Sequence, residues 1–146
     1  MWLSDAQATE AAGAKVGALL AVGDVVALSG PLGAGKTCFA RGLIRALGFV
    51  GDVPSPTFPI VIPYASPDVS LPLWHVDLYR IEHSREVEEL GLDDARADAA
   101  LIIEWPERLG PELWADALYI NLDVEGSGRR LTATVPAAWD ARWTSL

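Results

Sequence analysis

The chain has 146 residues, 51% of them apolar, and a formal charge of −9 at pH 7. That length fits one domain with a sizeable core, and the charge excludes a nucleic-acid-binding surface, which would be basic. A single cysteine, Cys38, excludes an intrachain disulfide and fits a reducing compartment. No apolar run approaches the ~18 residues of a membrane span and no signal-peptide pattern opens the chain, so a soluble cytoplasmic protein with no membrane partner is expected.

In chain order, Ser4-Asp5-Ala6-Gln7 reads as a capping box with Ser4 as N-cap. The helix it opens should reach about Leu20, with Ala8, Ala12, Val16 and Leu19 facing inward. Gly23-Asp24 turns the chain into an apolar strand, Val25-Val26-Ala27-Leu28. Next comes Gly30-Pro31-Leu32-Gly33-Ala34-Gly35-Lys36-Thr37, a complete G-x-x-x-x-G-K-[ST] phosphate-binding loop. A helix follows, with Phe39, Leu43 and Leu47 on one face, Ala40 and Ile44 beside them, and Gly48 as its stop.

The loop's residue types dictate its chemistry. Glycines let the backbone curl so that successive N–H groups and the helix N-terminus point at a polyphosphate. Lys36 is expected to reach the β- and γ-phosphates of a nucleoside triphosphate, and the Thr37 hydroxyl to hold Mg²⁺. Lys36 is one of only two lysines and is taken as a solvent-facing charge whose removal costs little stability. Cys38, in the first turn of the helix, reads as a small tolerated residue rather than a redox group.

Phe49 to Thr57 is a loop stiffened by Pro54 and Pro56, and Ser55 and Thr57 place hydroxyls where γ-phosphate-sensing segments lie. Phe58 to Tyr64 is strand-like, but Pro59 and Pro63 confine it to a sheet edge. Leu73-Trp74-His75-Val76-Asp77 is a strand ending in an acid, with His75 read as a packed strand residue. Ser84 is expected to cap a short acidic helix, Arg85 to Leu90, stopped by Gly91, with another turn or two from Leu92 to Ala97. Ala99 to Glu104 is the most buried-looking strand and also ends in an acid, closed by Trp105-Pro106. Leu118 to Val124 alternates apolar and polar residues, and Glu125-Gly126-Ser127-Gly128 forms a hairpin into Arg129–Val135.

Strand C-termini line the ligand crevice of α/β sheets, which singles out Asp77 and Glu104. The unbroken apolar strand before Glu104 assigns it, with Thr37, to the Mg²⁺ shell, while Asp77 orients the attacking water or completes that shell. The reverse assignment of the two acids stays open. Trp105 lies beside the nucleotide or in the core. No Asn-Lys-x-Asp guanine-reading segment is present, which favours ATP.

Four motifs, Leu32-Gly-Ala-Gly-Lys-Thr37, Ser55-Pro-Thr-Phe58, His75-Val-Asp-Leu-Tyr-Arg80 and Glu104-Trp-Pro106, occur in the order and spacing of the TsaE family. The chain resembles that family from about Leu3 to Val135. The resemblance implies a P-loop NTPase-like α/β fold, a three-layer sandwich around a mixed central sheet, in one P-loop ATPase domain spanning 1–146, although the tail from about residue 137 carries no signal. It further implies ATP hydrolysis in tRNA threonylcarbamoyladenosine biosynthesis beside TsaD and TsaB, with tRNA carried by those partners.

Carried over by motif, Lys36, Asp77 and Glu104 are the catalytic set. Thr9 lies close to the base, and Gly30, Leu32, Gly33, Ala34, Gly35, Lys36, Thr37, Cys38, Thr57 and Trp105 complete the nucleotide site. Thr37, Glu104 and Asp77 form the metal set. Pro31 and Cys38 depart from the usual family residues, and Pro31 removes one N–H from the loop. A small-molecule kinase and a non-catalytic nucleotide switch are the competing classes. The first lacks a lid-like insertion and a clustered basic surface, and the second leaves both strand-end acids without a role.

Overall fold

A computed structural model describes residues 1–110 and 114–143. The two flanking triplets, 111–113 and 144–146, belong to the expected domain but lie outside the described residues. In chain order the elements are β1 (Trp2–Leu3), α1 (Ala6–Leu19), β2 (Val25–Ser29), α2 (Lys36–Ala46), β3 (Val61–Tyr64), β4 (Leu73–Asp77), α3 (Ser84–Glu88), α4 (Leu92–Ala95), β5 (Ala100–Glu104), β6 (Leu118–Glu125) and β7 (Gly128–Thr134). Short 3₁₀ turns follow β5 and β7, at Pro106–Leu109 and Ala137–Trp139.

The seven strands form one mixed sheet in the order β1-β7-β6-β2-β5-β4-β3. Four central strands are parallel, because β2 pairs in parallel with β5 and β6, and β5 with β4. The outer strands β3, β7 and β1 run antiparallel to their neighbours. Parallel strands buried on both faces need apolar residues at every position, and all five residues of β5 are buried.

Successive side chains of a strand point to opposite faces. On one face Val26, Leu28, Ile102 and Ile120 pack against Phe39, Leu43 and Ile44 of α2 and Val16 of α1. On the other, Val25, Leu101, Ile103 and Val76 meet Val87 and Leu92 of α3 and α4. The result is the expected α/β sandwich of three layers.

The helix pair that carries the phosphate loop is packed at backbone contact. A Cβ on Gly13 would lie 2.0 Å from the Phe39 carbonyl oxygen, and one on Gly42 would lie 2.0 Å from that of Glu10. Only hydrogen atoms fit there, so α1 fixes the position of α2 closely.

Three local expectations are corrected. Asp5, not Ser4, is the N-cap of α1, and its carboxylate accepts from the Ala8 N–H at 2.8 Å. Ser4 lies one residue too early to reach that donor. Ser84 is the first residue of α3 rather than its cap, which is His83 with no side-chain capping bond. The edge strand begins at Val61, because Ile60 adopts φ 70° and breaks the extended backbone after Pro59. The tail also carries more structure than its sequence suggests. Trp139 is fully buried in the main core, and Arg142 lies over its ring while bonding Asp24 and the Leu19 carbonyl.

Candidate nucleotide-binding site

Strand register places the two acids. Leu28 of β2 lies opposite Glu104 of β5, and Glu104 lies opposite Asp77 of β4. Both carboxylates therefore stand in one row at the C-terminal edge of the parallel strands, beside the loop that leaves β2. Both are buried.

Gly35 takes φ 105°, open to glycine but costly for a side chain, and starts α2 by accepting from the Phe39 N–H at 2.9 Å. The free N–H groups at the start of α2 thus face a cavity of about 370 Å³. Loop residues Gly33, Gly35, Lys36 and Thr37 form one wall, and Thr57, Asp77, Glu104 and Trp105 the other. Leu32 and Cys38 also border this cavity. A second recess of about 150 Å³ lies across the loop, bordered by Thr9, Ala34, Gly35, Cys38 and Arg129. Ala34 turns its own N–H back onto the Pro31 carbonyl at 3.1 Å, a tight turn inside the loop.

Lys36 is not the solvent-facing charge expected from sequence. It is 5% exposed, and its ammonium donates to the Gly30 and Pro31 carbonyls at 2.6 and 2.9 Å. The same ammonium sits 4.1 Å from the centre of the Trp105 ring, a cation–π contact. Burial pulls its pKa below the usual lysine value, while Glu104, Glu107 and Asp77 pull the other way. Trp105 is itself held at φ 60°, a left-handed conformation unusual for a bulky residue, and its ring also meets Tyr79 at 5.0 Å. Trp105 both lines the cavity and packs, partly buried, against the core on the α3–α4 face of the sheet.

The Thr37 hydroxyl donates towards Glu104, 3.0 Å from Oε1 and 3.2 Å from Oε2. His75, fully buried one strand away, places its Nε2 2.7 Å from the same carboxylate. His75 is thus packed, as expected, and also bonded to a site acid. The clue was available in the parallel register of β4 and β5, but no motif announces it.

Asp77 serves a different neighbourhood. Its Oδ2 accepts from the Thr57 hydroxyl at 3.0 Å, and its Oδ1 from the Tyr79 N–H at 2.9 Å. Ser55 and Thr57 share a hydroxyl contact at 2.8 Å, and Arg80 donates to the Phe58 carbonyl. The loop expected to sense the γ-phosphate is thereby tied to the strand-end acid.

Thr9 is buried in α1 and donates to its own helix at the Asp5 carbonyl. Cys38 donates to the Ala6 carbonyl, and burial, then the Glu10 charge, push its thiol upward, which fits an inert residue. Among the described residues no three His, Cys, Asp or Glu side chains converge as a metal cage. The oxygen set of Thr37, Glu104 and Asp77 still suits Mg²⁺, which binds through one or two carboxylates and keeps waters and substrate phosphates as its other ligands. Sequence reasoning missed Arg129, whose guanidinium donates to the Gly33 and Ala34 carbonyls of the loop. It lies 95 residues beyond Ala34, so no local pattern could reveal it.

A central strand, a glycine-rich loop and a helix, with acids at the ends of the adjacent strands, define a P-loop NTPase-like α/β protein. The family model described as "Threonylcarbamoyl adenosine biosynthesis protein TsaE" matches residues 3–132. This chain belongs to the TsaE family. It is 44% identical over 112 residues to the tRNA threonylcarbamoyladenosine biosynthesis protein TsaE of Streptomyces coelicolor, covering 76% of each chain. It is 38% identical over 126 residues to that of Treponema pallidum, covering 86% of this chain and 91% of the relative. The crystal structure of YdiB from Bacillus subtilis superposes with a TM-score of 0.78 at 30% identity, over 97% of this chain and 88% of the other. No helix among the described residues is long and apolar enough to cross a membrane.

Proposed function

We propose that this protein binds ATP with Mg²⁺ at the phosphate loop and hydrolyses it, as the ATPase component of tRNA threonylcarbamoyladenosine biosynthesis. TsaD and TsaB are its proposed partners and carry the tRNA, in keeping with a chain of net charge −9. The observation that carries the reading is the Thr37 hydroxyl set against the buried Glu104 carboxylate, with Asp77 in register beside it.

Lys36 must exchange the Gly30 and Pro31 carbonyls for phosphate oxygens, a short movement of a flexible side chain. Thr37 and Glu104 are the residues to hold Mg²⁺, which when bound neutralises charge on the transferring phosphate. Asp77 accepts from Thr57 and Tyr79 and retains lone pairs for an attacking water. Because Thr57 bonds Asp77, the 55–58 loop and the water-orienting acid move together. Thr9 borders the 150 Å³ recess across the loop, and the base is proposed to sit there.

None of the described arginines reaches into the cavity as an internal finger, so turnover by this chain alone is expected to be slow. An activating surface supplied by a partner can contribute on the order of 10³–10⁵ in rate in phosphate-loop enzymes that use a finger. Steady-state phosphate release, measured with and without TsaD–TsaB and tRNA, tests this. Low release alone and strong stimulation by the partners is the expected result. Fast release unaffected by them would move the assignment to a self-sufficient enzyme such as a kinase.

A further inference from the structure

We infer that Arg129 of β7 is a positioning residue for the nucleotide: it holds the loop's carbonyls turned outward so that the loop's N–H groups face the phosphates. The inference rests on the nucleotide-binding reading above.

A loop that presents N–H groups to an anion must turn carbonyls the other way, and each of those needs a donor. The donors can be counted. The Gly35 carbonyl accepts from the Phe39 N–H. Those of Gly30 and Pro31 accept from Lys36, and that of Pro31 also from the Ala34 N–H. Those of Gly33 and Ala34 accept from Arg129, at 3.2 Å from Nη2 and 3.0 Å from Nε. Lys36 has a second task, because it must leave its carbonyls to reach a phosphate. Arg129 has none. Its remaining bond goes to the Gly128 carbonyl of its own hairpin at 2.9 Å, so its loop contacts need not be given up for a phosphate to be reached.

The arginine is mounted rigidly. Its strand is bonded to β6 on one side and to β1 on the other, with Arg129 opposite Leu3. The preceding Gly128 is gripped by β1, since a Cβ there would meet the Leu3 carbonyl oxygen at 2.4 Å and the Trp2 ring at 2.5 Å. A planar guanidinium can bond two adjacent carbonyls at once, which a lysine ammonium on a flexible stem does poorly. The neighbouring Arg130 provides the contrast. It makes a bidentate pair with Glu125, at 2.7 and 2.9 Å, on the exposed side of the hairpin. Arg129 pairs with no carboxylate among the described residues.

The test compares wild type, Arg129→Ala, Arg129→Lys and Arg130→Ala by calorimetric titration with ADP and with ATP, both in Mg²⁺. Arg129→Ala should weaken both nucleotides equally by about tenfold, the loss of one or two modest hydrogen bonds. Arg129→Lys should fall between it and wild type, and Arg130→Ala should match wild type. KM for ATP should rise with kcat unchanged. Amide hydrogen exchange across residues 30–36 of the nucleotide-free protein should quicken in Arg129→Ala, which a purely global loss of stability would not confine to the loop. Unchanged affinity in Arg129→Ala, or a loss for ATP alone, overturns the inference. If the alanine variant fails to fold, wild-type affinity in Arg129→Lys overturns it instead. A wild-type protein that binds neither nucleotide refutes the nucleotide-binding reading itself, a distinguishable failure.

Discussion

Glutamate 104 separates stability from function, and two substitutions expose the separation. Its carboxylate is 2% exposed and accepts from the Thr37 hydroxyl and from His75. Glu104→Gln keeps the shape and one carbonyl acceptor while removing the charge. A buried carboxylate is costly to desolvate, so this change should alter unfolding free energy by no more than about 1 kcal/mol. Glu104→Ala leaves both Thr37 and His75 without their acceptor, and the His75 Nδ1 already has no partner among the described residues. At about 1–3 kcal/mol for each of the two stranded groups, it should cost about 2–6 kcal/mol. Magnesium-dependent ATP binding should order the variants differently. Loss of the carboxylate in Glu104→Gln should weaken it by about 10–100-fold, the scale of damage to metal-site residues. ATP binding without Mg²⁺ should change far less. Urea unfolding and calorimetric titration with and without Mg²⁺ read the two quantities. A Gln variant that binds MgATP like wild type, or that loses as much stability as the Ala variant, would refute the reasoning.

Asp77→Asn should lower turnover with little effect on MgATP affinity, and Thr57→Val, which cuts the loop from Asp77, should do the same more weakly; a larger Mg²⁺ effect at Asp77 than at Glu104 would exchange their roles. Gly42→Ala drives a methyl group into the Glu10 carbonyl and should destabilise by about 1–3 kcal/mol in chemical denaturation, whereas helix propensity alone would stabilise by about 1 kcal/mol; a neutral or stabilising result contradicts the packing argument. The Arg96 hydrogen bond holds the Asp116 carboxyl below its usual 3.8. With the folded pKa depressed, its contribution is present above about pH 4 and lost as pH falls through the folded pKa. Wild type should exceed Asp116→Asn by less than about 1 kcal/mol at pH 7, since the pair is partly exposed, and the difference should vanish in strong acid; a difference that persists there contradicts the assignment.

What the sequence disclosed is what local pattern encodes. The strand–loop–helix unit from Val25 to Ala46 is continuous, and each of its parts has its own signature: apolar run, glycine spacing, helical period. The strand-end acids were legible because β4 and β5 each end an apolar run with a carboxylate, and parallel pairing then sets Asp77 opposite Glu104. Features that depend on distant chain were not legible. The Lys36 side chain is buried because Trp105, from the end of β5, lies over it. Arg129 meets the loop only after β6 and β7 have extended the sheet beyond β2. Trp139 looks like an uninformative tail residue until the chain after β7 returns to the face that carries α1. The cap of α1 failed for a smaller reason, since Asp5 and Ser4 are both good caps and tertiary placement chose between them.

The most direct test of the central claim is equilibrium binding of MgATP to wild type and to Lys36→Ala. Lys36 touches the loop carbonyls and lines the cavity proposed to hold the phosphates. Saturable one-to-one binding by wild type, abolished in a Lys36→Ala variant that remains folded by circular dichroism, is the predicted result. Equal binding by the two proteins would contradict the assignment of this loop as the phosphate site.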